Sequence, residues 1–172
     1  MELTINKFKL NLLNTYSETI ADGEGLRYSI YLSGCIHACP LCHNKKSWSP
    51  TAGIPFTDDI LKSIIDDVNT NQLLDGITLS GGDPFFNPTA LLVILKILKV
   101  QTGKNIWCYT GYTYEQLLQN EAMKDCLYYI DTLVDGRFEI DKFDPRLLFR
   151  GSSNQRIIYL KENSFEIEHH YE

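Results

Sequence analysis

Short apolar segments with the composition of β-strands recur along the chain. In residues 26–32, Tyr28, Ile30 and Leu32 alternate onto one face and the segment is rich in β-branched and aromatic residues. Four further segments have the same character: residues 77–79, 105–110, 131–135 and 156–160. The pattern therefore predicts five strands, with polar or glycine-containing turns after them.

Helical periodicity appears between these segments. Thr57 is placed to cap a helix with acidic residues in its first turn. The apolar positions that follow it recur at helical spacing: Ile60, Leu61, Ile64, Ile65 and Val68. Asn87 and Pro88 open a second helix, which is apolar almost all round and is therefore expected to be buried. A third helix is predicted from about Thr113 through Met123.

Strands that alternate with helices predict an α/β fold with a mainly parallel sheet and right-handed crossovers. In such sheets, ligand-binding groups gather at the carboxyl ends of the strands. The chain has 172 residues without a composition break, so we expect one domain over residues 1–172. This length is short of the roughly 250 residues of a complete eight-stranded α/β barrel.

Charge and composition narrow the class of protein. The formal charge is −6 and no run of Lys or Arg is long enough to mark a nucleic-acid groove, which argues against a nucleic-acid partner. The amino-terminal residues lack the apolar core of a signal peptide, and no apolar stretch is as long as a membrane span. We therefore expect a cytoplasmic protein without a membrane partner. Its five cysteines, an odd number, favour reduced thiols or a metal cluster over a disulfide framework.

The most informative segment is the cysteine loop, residues 33–44, which follows the first predicted strand. Cys35, Cys39 and Cys42 have the spacing C-x3-C-x2-C. Three thiolates leave one iron of a four-iron cluster without a protein ligand, and that iron is then available for chemistry. The alternative is a structural zinc site of three cysteines, completed by His37 or His43. The isolated Cys108 and Cys126 lie in apolar segments and are expected to be buried.

A glycine-rich turn, Gly81-Gly82-Asp83-Pro84, follows the second predicted strand. Glycine lets the backbone approach a ligand closely, because it has no side chain. Thr110 ends the third predicted strand, directly before the turn at Gly111. The cysteine loop, this turn and Thr110 are all expected at the carboxyl edge of the sheet.

The cysteine spacing together with the Gly-Gly-Asp-Pro turn resembles the radical S-adenosylmethionine enzymes, which have a GGEP-type turn at this point. Other segments narrow the resemblance to the activating proteins of anaerobic (class III) ribonucleoside-triphosphate reductases: residues 22–27, 107–112, 133–138 and 149–156. The resemblance covers most of the chain. It implies a small, incomplete (partial) radical-SAM β/α barrel.

The same resemblance implies a set of site residues. Cys35, Cys39 and Cys42 would hold a 4Fe–4S cluster whose open iron binds S-adenosylmethionine. The residues implied to contact that cofactor are Leu41, Cys42, His43, Gly81, Gly82, Asp83 and Thr110. Asp83 stands where the superfamily often has Glu, and Leu41 stands where many members have an aromatic residue.

The implied activity is the formation of a glycyl radical on the large reductase subunit. Reductive cleavage of S-adenosylmethionine supplies a 5′-deoxyadenosyl radical, and the electron comes from reduced flavodoxin or a ferredoxin-type donor. One alternative is another small radical-SAM enzyme, either a different glycyl-radical activase or one like 7-deazaguanine synthase. Another is a non-catalytic zinc or iron–sulfur binding module. Residues 150–154 could position the cofactor or dock the reductase, and the sequence does not choose.

Overall fold

The structure, a computed structural model, describes residues 4–160 and the short strand Ile167–Glu168. The described strands are β1 (Asn11–Thr19), β2 (Arg27–Leu32), β3 (Ile54–Pro55), β4 (Gly76–Gly81), β5 (Asn105–Tyr109), β6 (Thr132–Asp135), β7 (Arg156–Leu160) and β8 (Ile167–Glu168). The described α-helices are α1 (Asp58–Thr70), α2 (Pro88–Thr102), α3 (Tyr114–Leu118) and α4 (Glu121–Leu127). All five predicted strands are confirmed, with ends that differ by at most two residues.

The strands form one mixed sheet in the order β3-β1-β2-β4-β5-β6-β7-β8. Its centre, β2-β4-β5-β6, is parallel, and the pairs on either side are antiparallel. Within the described ranges the sheet is open, because the edge strands β3 and β8 do not pair with each other. The α/β class is therefore confirmed, and the sheet is parallel at its centre. The prediction of a mainly parallel sheet is wrong for the sheet as a whole, because four of the seven described strand pairs are antiparallel. The sheet is not a closed barrel.

The direction of β7 departs from the predicted parallel arrangement. Leu133 pairs with Ile158 in an antiparallel ladder between β6 and β7. The connection between these strands contains only the short 3-10 turn Ile140–Lys142 and no α-helix. Because a parallel return needs a crossover, usually helical, this connection lets the chain turn back beside β6.

The helix caps confirm the predicted starts of α1 and α2. Thr57 accepts a hydrogen bond from the Ile60 amide, and Asn87 accepts one from the Ala90 amide. The single helix predicted from Thr113 is wrong, since the chain forms α3 and α4 instead. The break occurs because Asn120 takes an extended conformation and caps α4 with its side chain.

The helices cover one face of the sheet. The parallel strands follow one another in chain order, so right-handed crossovers place their helices on the same side. Ile30, Leu79, Cys108 and Leu133 point into the core beneath them. On the opposite face, buried Arg27 donates to the Thr78 hydroxyl at 2.7 Å and lies over the Trp107 ring. Burial lowers the pKa of Arg27 to about 10.

Cys108 and Cys126 are fully buried, as predicted. Burial raises the pKa of Cys108 well above its ordinary value and that of Cys126 to about 12. Both groups are therefore neutral thiols at physiological pH. In the described part of the chain, none of the helices combines the length and apolar character needed to cross a bilayer.

Candidate cluster and cofactor site

The carboxyl ends of the four parallel strands bring the predicted site residues to one edge. The cysteine loop leaves β2, the Gly81-Gly82 turn closes β4, and Thr110 follows β5. A fourth segment, which begins at Gly136, follows β6. Because parallel strands end on the same side, segments distant in sequence become neighbours.

The cysteine loop has an unusual backbone just before two of its cysteines. Ala38 and Leu41 have positive φ angles of 50° and 57°, and they directly precede Cys39 and Cys42. A residue with a side chain in this region costs on the order of 1 kcal/mol, so the surrounding fold has to hold it there. The Cys42 amide donates to the Cys39 carbonyl at 3.1 Å and closes the turn between them. The loop is thereby curled tightly between its thiols.

Backbone hydrogen bonds anchor the start of the loop to the segment that follows it. The Gly34 amide donates to the Ser47 carbonyl at 2.8 Å, and the Cys35 amide donates to the Trp48 carbonyl at 3.2 Å. The short 3-10 helix Lys45–Trp48 carries both acceptors. The loop therefore closes on itself before the chain moves on to β3.

The three thiols are partly buried and lie close enough to affect one another. Burial raises the pKa of Cys35, and the charges of Asp83, Cys39 and Cys42 raise it further. Burial and Cys42 raise the pKa of Cys39 as well, whereas Arg137 lowers it. Three neighbouring free thiols on one loop are the donors that an iron–sulfur cluster takes, so the residues fit such a group. Among the described residues, no three His, Cys, Asp or Glu side chains are grouped to hold a single metal ion.

A buried carboxylate ties the cysteine loop to two strand ends. Asp83 is only 2% exposed, and its Oδ2 accepts from His37 Nε2 at 2.5 Å. The same oxygen accepts from the Thr110 hydroxyl and the Gly111 amide, each at 3.0 Å, while Oδ1 accepts from the Phe85 amide at 2.9 Å. Direct cofactor contact stays a prediction for Asp83 and Thr110. The structure adds that both hold the cysteine loop through His37.

The Gly81-Gly82 turn packs directly against the cysteine loop. Gly81 has a φ of 110°, a conformation that side chains rarely adopt. The Gly82 amide donates to the Leu32 carbonyl at 2.8 Å. A Cβ at position 82 would collide with the carbonyl oxygens of Gly34 and Ser47. Glycine is therefore required here by the loop's own backbone, besides any contact with a cofactor.

The remaining predicted contacts lie on the open side of the loop. Leu41 and His43 are exposed, and Cys42 between them is partly buried. These side chains are accessible to a small molecule that approaches the thiols from solvent. Their contact with S-adenosylmethionine stays a prediction.

Two further residues of the site, Tyr112 and Arg137, lie outside the predicted set of site residues. The Tyr112 ring packs edge-on against the His37 ring, with centroids 4.6 Å apart. Arg137 is exposed and close enough to lower the pKa of both Cys39 and Tyr112, although burial makes the net shift of each upward. Two signals for them exist in the sequence: both residues follow strands that end at this edge, and both lie in segments that carry the family resemblance, 107–112 and 133–138.

The β6–β7 loop, residues 136–155, starts and ends at this same edge. Asp135 and Arg156, which flank it, pair in the ladder and form an ion pair of 2.5 Å. The side chains of Asn154 and Gln155 donate to the backbone carbonyls of residues 136–137. The polar segment 150–154 thus helps to close this loop upon itself, which is a structural role.

Comparison with known proteins identifies the family. Residues 21–158, which include the whole cysteine loop, match the family described as a 4Fe-4S single cluster domain. The chain is 44% identical over 154 residues to the anaerobic ribonucleoside-triphosphate reductase-activating protein of Pasteurella multocida (strain Pm70), covering 87% of this chain and 97% of that protein. The chain belongs to this family of activating proteins. The resemblance seen in the sequence is therefore confirmed.

Other members of the activating-protein family are similar along nearly their whole length. The protein of Escherichia coli (strain K12) is 40% identical over 156 residues, which are 88% of this chain and 100% of that protein. The protein of Enterobacteria phage T4 is 31% identical over 151 residues, which are 86% of this chain and 93% of that protein. These relatives are named as activators of the reductase, and a 4Fe–4S cluster domain is present in this chain.

Asp83→Asn is expected to loosen the cysteine loop. The substituted amide nitrogen would face hydrogen-bond donors, so the buried site would lose partners at a cost of about 3 kcal/mol in the free energy of unfolding. Urea denaturation of the apoprotein measures this loss, and iron uptake on reconstitution should fall with it. Asp66→Asn, at an exposed ion pair with Lys62, is the matched control and should leave both quantities unchanged. Equal stability of the two variants would show that Asp83 does not hold the loop.

Proposed function

We propose that this protein activates anaerobic ribonucleoside-triphosphate reductase by generating a glycyl radical on it, through reductive cleavage of S-adenosylmethionine at a 4Fe–4S cluster. The observation that carries the proposal is a tightly curled loop at the carboxyl edge of the sheet with three free, partly buried thiols, those of Cys35, Cys39 and Cys42. Membership of the activating-protein family supports the identity of the protein substrate.

The bound cluster and S-adenosylmethionine would supply the radical chemistry, and the protein chain would hold them in place. When bound, the cluster would supply one electron to the sulfonium of S-adenosylmethionine, and the resulting 5′-deoxyadenosyl radical would take a hydrogen atom from a glycine Cα. The chain's part is to hold and orient these groups. The three cysteines would ligate the cluster, exposed Leu41 and His43 would flank the adenosyl group, and the Gly82 backbone would meet the methionine moiety.

We further propose that the sheet is an incomplete version of the radical-SAM barrel. The helices cover one face, and the opposite face carries buried polar groups such as Arg27 and Ser29. An open sheet leaves the carboxyl edge accessible from the side. A polypeptide loop of the reductase could reach the thiol loop by that route, whereas a closed barrel would restrict access.

The proposal also requires an external electron donor. Iron–sulfur potentials extend down to about −700 mV, and cleavage of a sulfonium needs the reducing end of that range. A reduced flavodoxin or a ferredoxin-type protein can deliver such electrons. The donor would contact the exposed side of the cysteine loop.

Electron paramagnetic resonance tests the proposal directly. The reconstituted, reduced protein, S-adenosylmethionine and the anaerobic reductase should together give a glycyl doublet and 5′-deoxyadenosine. The doublet should be absent with Cys39→Ala, and also when the radical-bearing glycine of the reductase is replaced by alanine.

Two outcomes would contradict the proposed function. Turnover of a small-molecule substrate without a radical on the reductase would indicate another small radical-SAM enzyme. A colourless protein that contains zinc after anaerobic reconstitution with iron and sulfide would indicate a zinc-binding module. Metal analysis and the visible spectrum distinguish that second outcome from a brown four-iron cluster.

A further inference from the structure

The β6–β7 loop exposes large apolar side chains to solvent. Phe143 and Leu148 are 54% and 62% exposed, and Ile140 is partly exposed beside them in sequence. Single exposed apolar residues are common on protein surfaces, but a group of them around a reactive site marks an interaction surface. Whether these side chains form an interaction surface for the reaction therefore depends on how close they lie to the three thiols.

The β6–β7 loop lies against the cysteine loop. The Gly136 amide, at the start of the β6–β7 loop, donates to the Tyr112 carbonyl at 2.9 Å, and the Tyr112 ring packs edge-on against the ring of His37 in the cysteine loop. The cysteine loop itself exposes Ile36 and Leu41. We call the exposed apolar side chains of these two adjoining loops the apolar rim: Ile36, Leu41, Ile140, Phe143 and Leu148.

The seven charged side chains of the β6–β7 loop sum to a formal charge of +1, and four of them form local ion pairs. Lys142 pairs with Glu139 at 2.6 Å, and Arg146 pairs with Asp144 at 2.8 Å. These pairs neutralise four charged groups beside the apolar rim. The apolar rim therefore exposes apolar area where positive and negative charges nearly balance. Such a surface suits a polypeptide partner and not a polyanion.

The β6–β7 loop, which carries three residues of the apolar rim, is folded against itself. Phe143 forms an isolated bridge with Ser152, and the Ser153 amide donates to the Lys142 carbonyl at 2.9 Å. The Phe143 and Phe138 rings pack edge-on with centroids 6.1 Å apart. Because these contacts already order the loop, a partner can bind it with a small entropic cost.

We propose that the apolar rim is the docking surface for the reductase and covers the polypeptide around the glycine that receives the radical. This inference rests on the proposed function. Abstraction of a hydrogen atom needs the glycine Cα in contact with the adenosyl carbon, so the partner must lie directly over the cysteine loop. The apolar rim lies on that loop and on the β6–β7 loop next to it, and the names of the relatives identify the reductase as the macromolecule on which this family acts.

Leu148→Glu tests this surface, with Leu73→Glu as the matched control. Leu73 is 74% exposed and lies between α1 and β4, at the opposite edge of the sheet. A carboxylate at position 148 would have to be desolvated on docking, so the affinity for the reductase should fall at least about tenfold. Binding of the reconstituted protein to the reductase is measured by calorimetry. Iron content and S-adenosylmethionine cleavage without reductase should match the wild type.

Phe143→Glu provides a second variant within the apolar rim, and circular dichroism checks that each variant is folded. Wild-type affinity in both Leu148→Glu and Phe143→Glu would overturn the proposal. Loss of a homodimer in sedimentation, with reductase affinity unchanged, would overturn it too and assign the rim to a second copy of this chain. If the wild type binds the reductase through the rim but forms no glycyl radical, the proposed function fails while the docking surface stands.

Discussion

Cys35→Ala, Cys39→Ala and Cys42→Ala are each expected to abolish cluster loading and S-adenosylmethionine cleavage. Replacing even an outer partner of a metal ligand typically costs 10- to 100-fold in affinity or activity, so the loss of a ligand itself should exceed about 100-fold. A four-iron cluster held by only three cysteines has no further protein ligand that could replace a lost one. Iron and sulfide content after anaerobic reconstitution, together with 5′-deoxyadenosine formation, measures the effect.

The two buried cysteines supply the controls for this series. Cys108 and Cys126 belong to the core beneath the helices, and burial raises the pKa of both thiols. Alanine at either position removes one sulfur from the core and should cost only about 1 kcal/mol of stability. Cluster loading should remain at the wild-type level. Loss of the cluster in Cys126→Ala would show that the three-ligand assignment is wrong.

Gly82→Ala is expected to lower iron loading at least about tenfold, because the structure leaves no room for a side chain at this position. Its Cβ would meet the backbone oxygens of Gly34 and Ser47, which cannot move without displacing the cysteine loop. From the sequence alone, a side chain at position 82 is expected to weaken the binding of S-adenosylmethionine and to leave the iron content near normal. The close packing of the turn against the loop changes that expectation.

Gly103→Ala is the matched control for Gly82→Ala. Gly103 ends α2 with a φ of 63°, and a Cβ there would meet nothing within 4 Å. Alanine should therefore cost about 1 kcal/mol of stability through backbone strain alone and leave iron loading intact. Normal iron loading in Gly82→Ala, with weaker equilibrium binding of S-adenosylmethionine, would mean that the turn faces the cofactor and does not support the loop.

The parallel centre of the sheet was predictable because it depends on local pattern. The strands β2, β4, β5 and β6 are short buried segments, and the caps Thr57 and Asn87 act within their own helices. Other elements depend on distant partners. The nine-residue strand β1 is largely solvent-accessible and carries polar side chains, so it lacks a clear apolar signal, and its pairing with β2 defines it.

The part of the candidate site that depends on residues close together in the sequence was predictable. The spacing of the three cysteines and the Gly-Gly turn indicate the cluster family from the sequence alone, and both lie at the predicted edge of the sheet. The hydrogen bond from His37 to Asp83 joins residues 46 positions apart. No periodicity or spacing rule reports a contact at that separation.

By itself, the sequence determined the strands of the parallel centre and the start of α1, since these follow from neighbouring residues, and it predicts which three thiols are the cluster donors. Only the tertiary structure decided that buried Asp83 connects the cysteine loop to the strand ends, that Gly82 supports this loop and that Arg137 lies near Cys39. The physical reason is that parallel strand ends bring separate segments into contact. Burial, close packing and charge there depend on which segments meet.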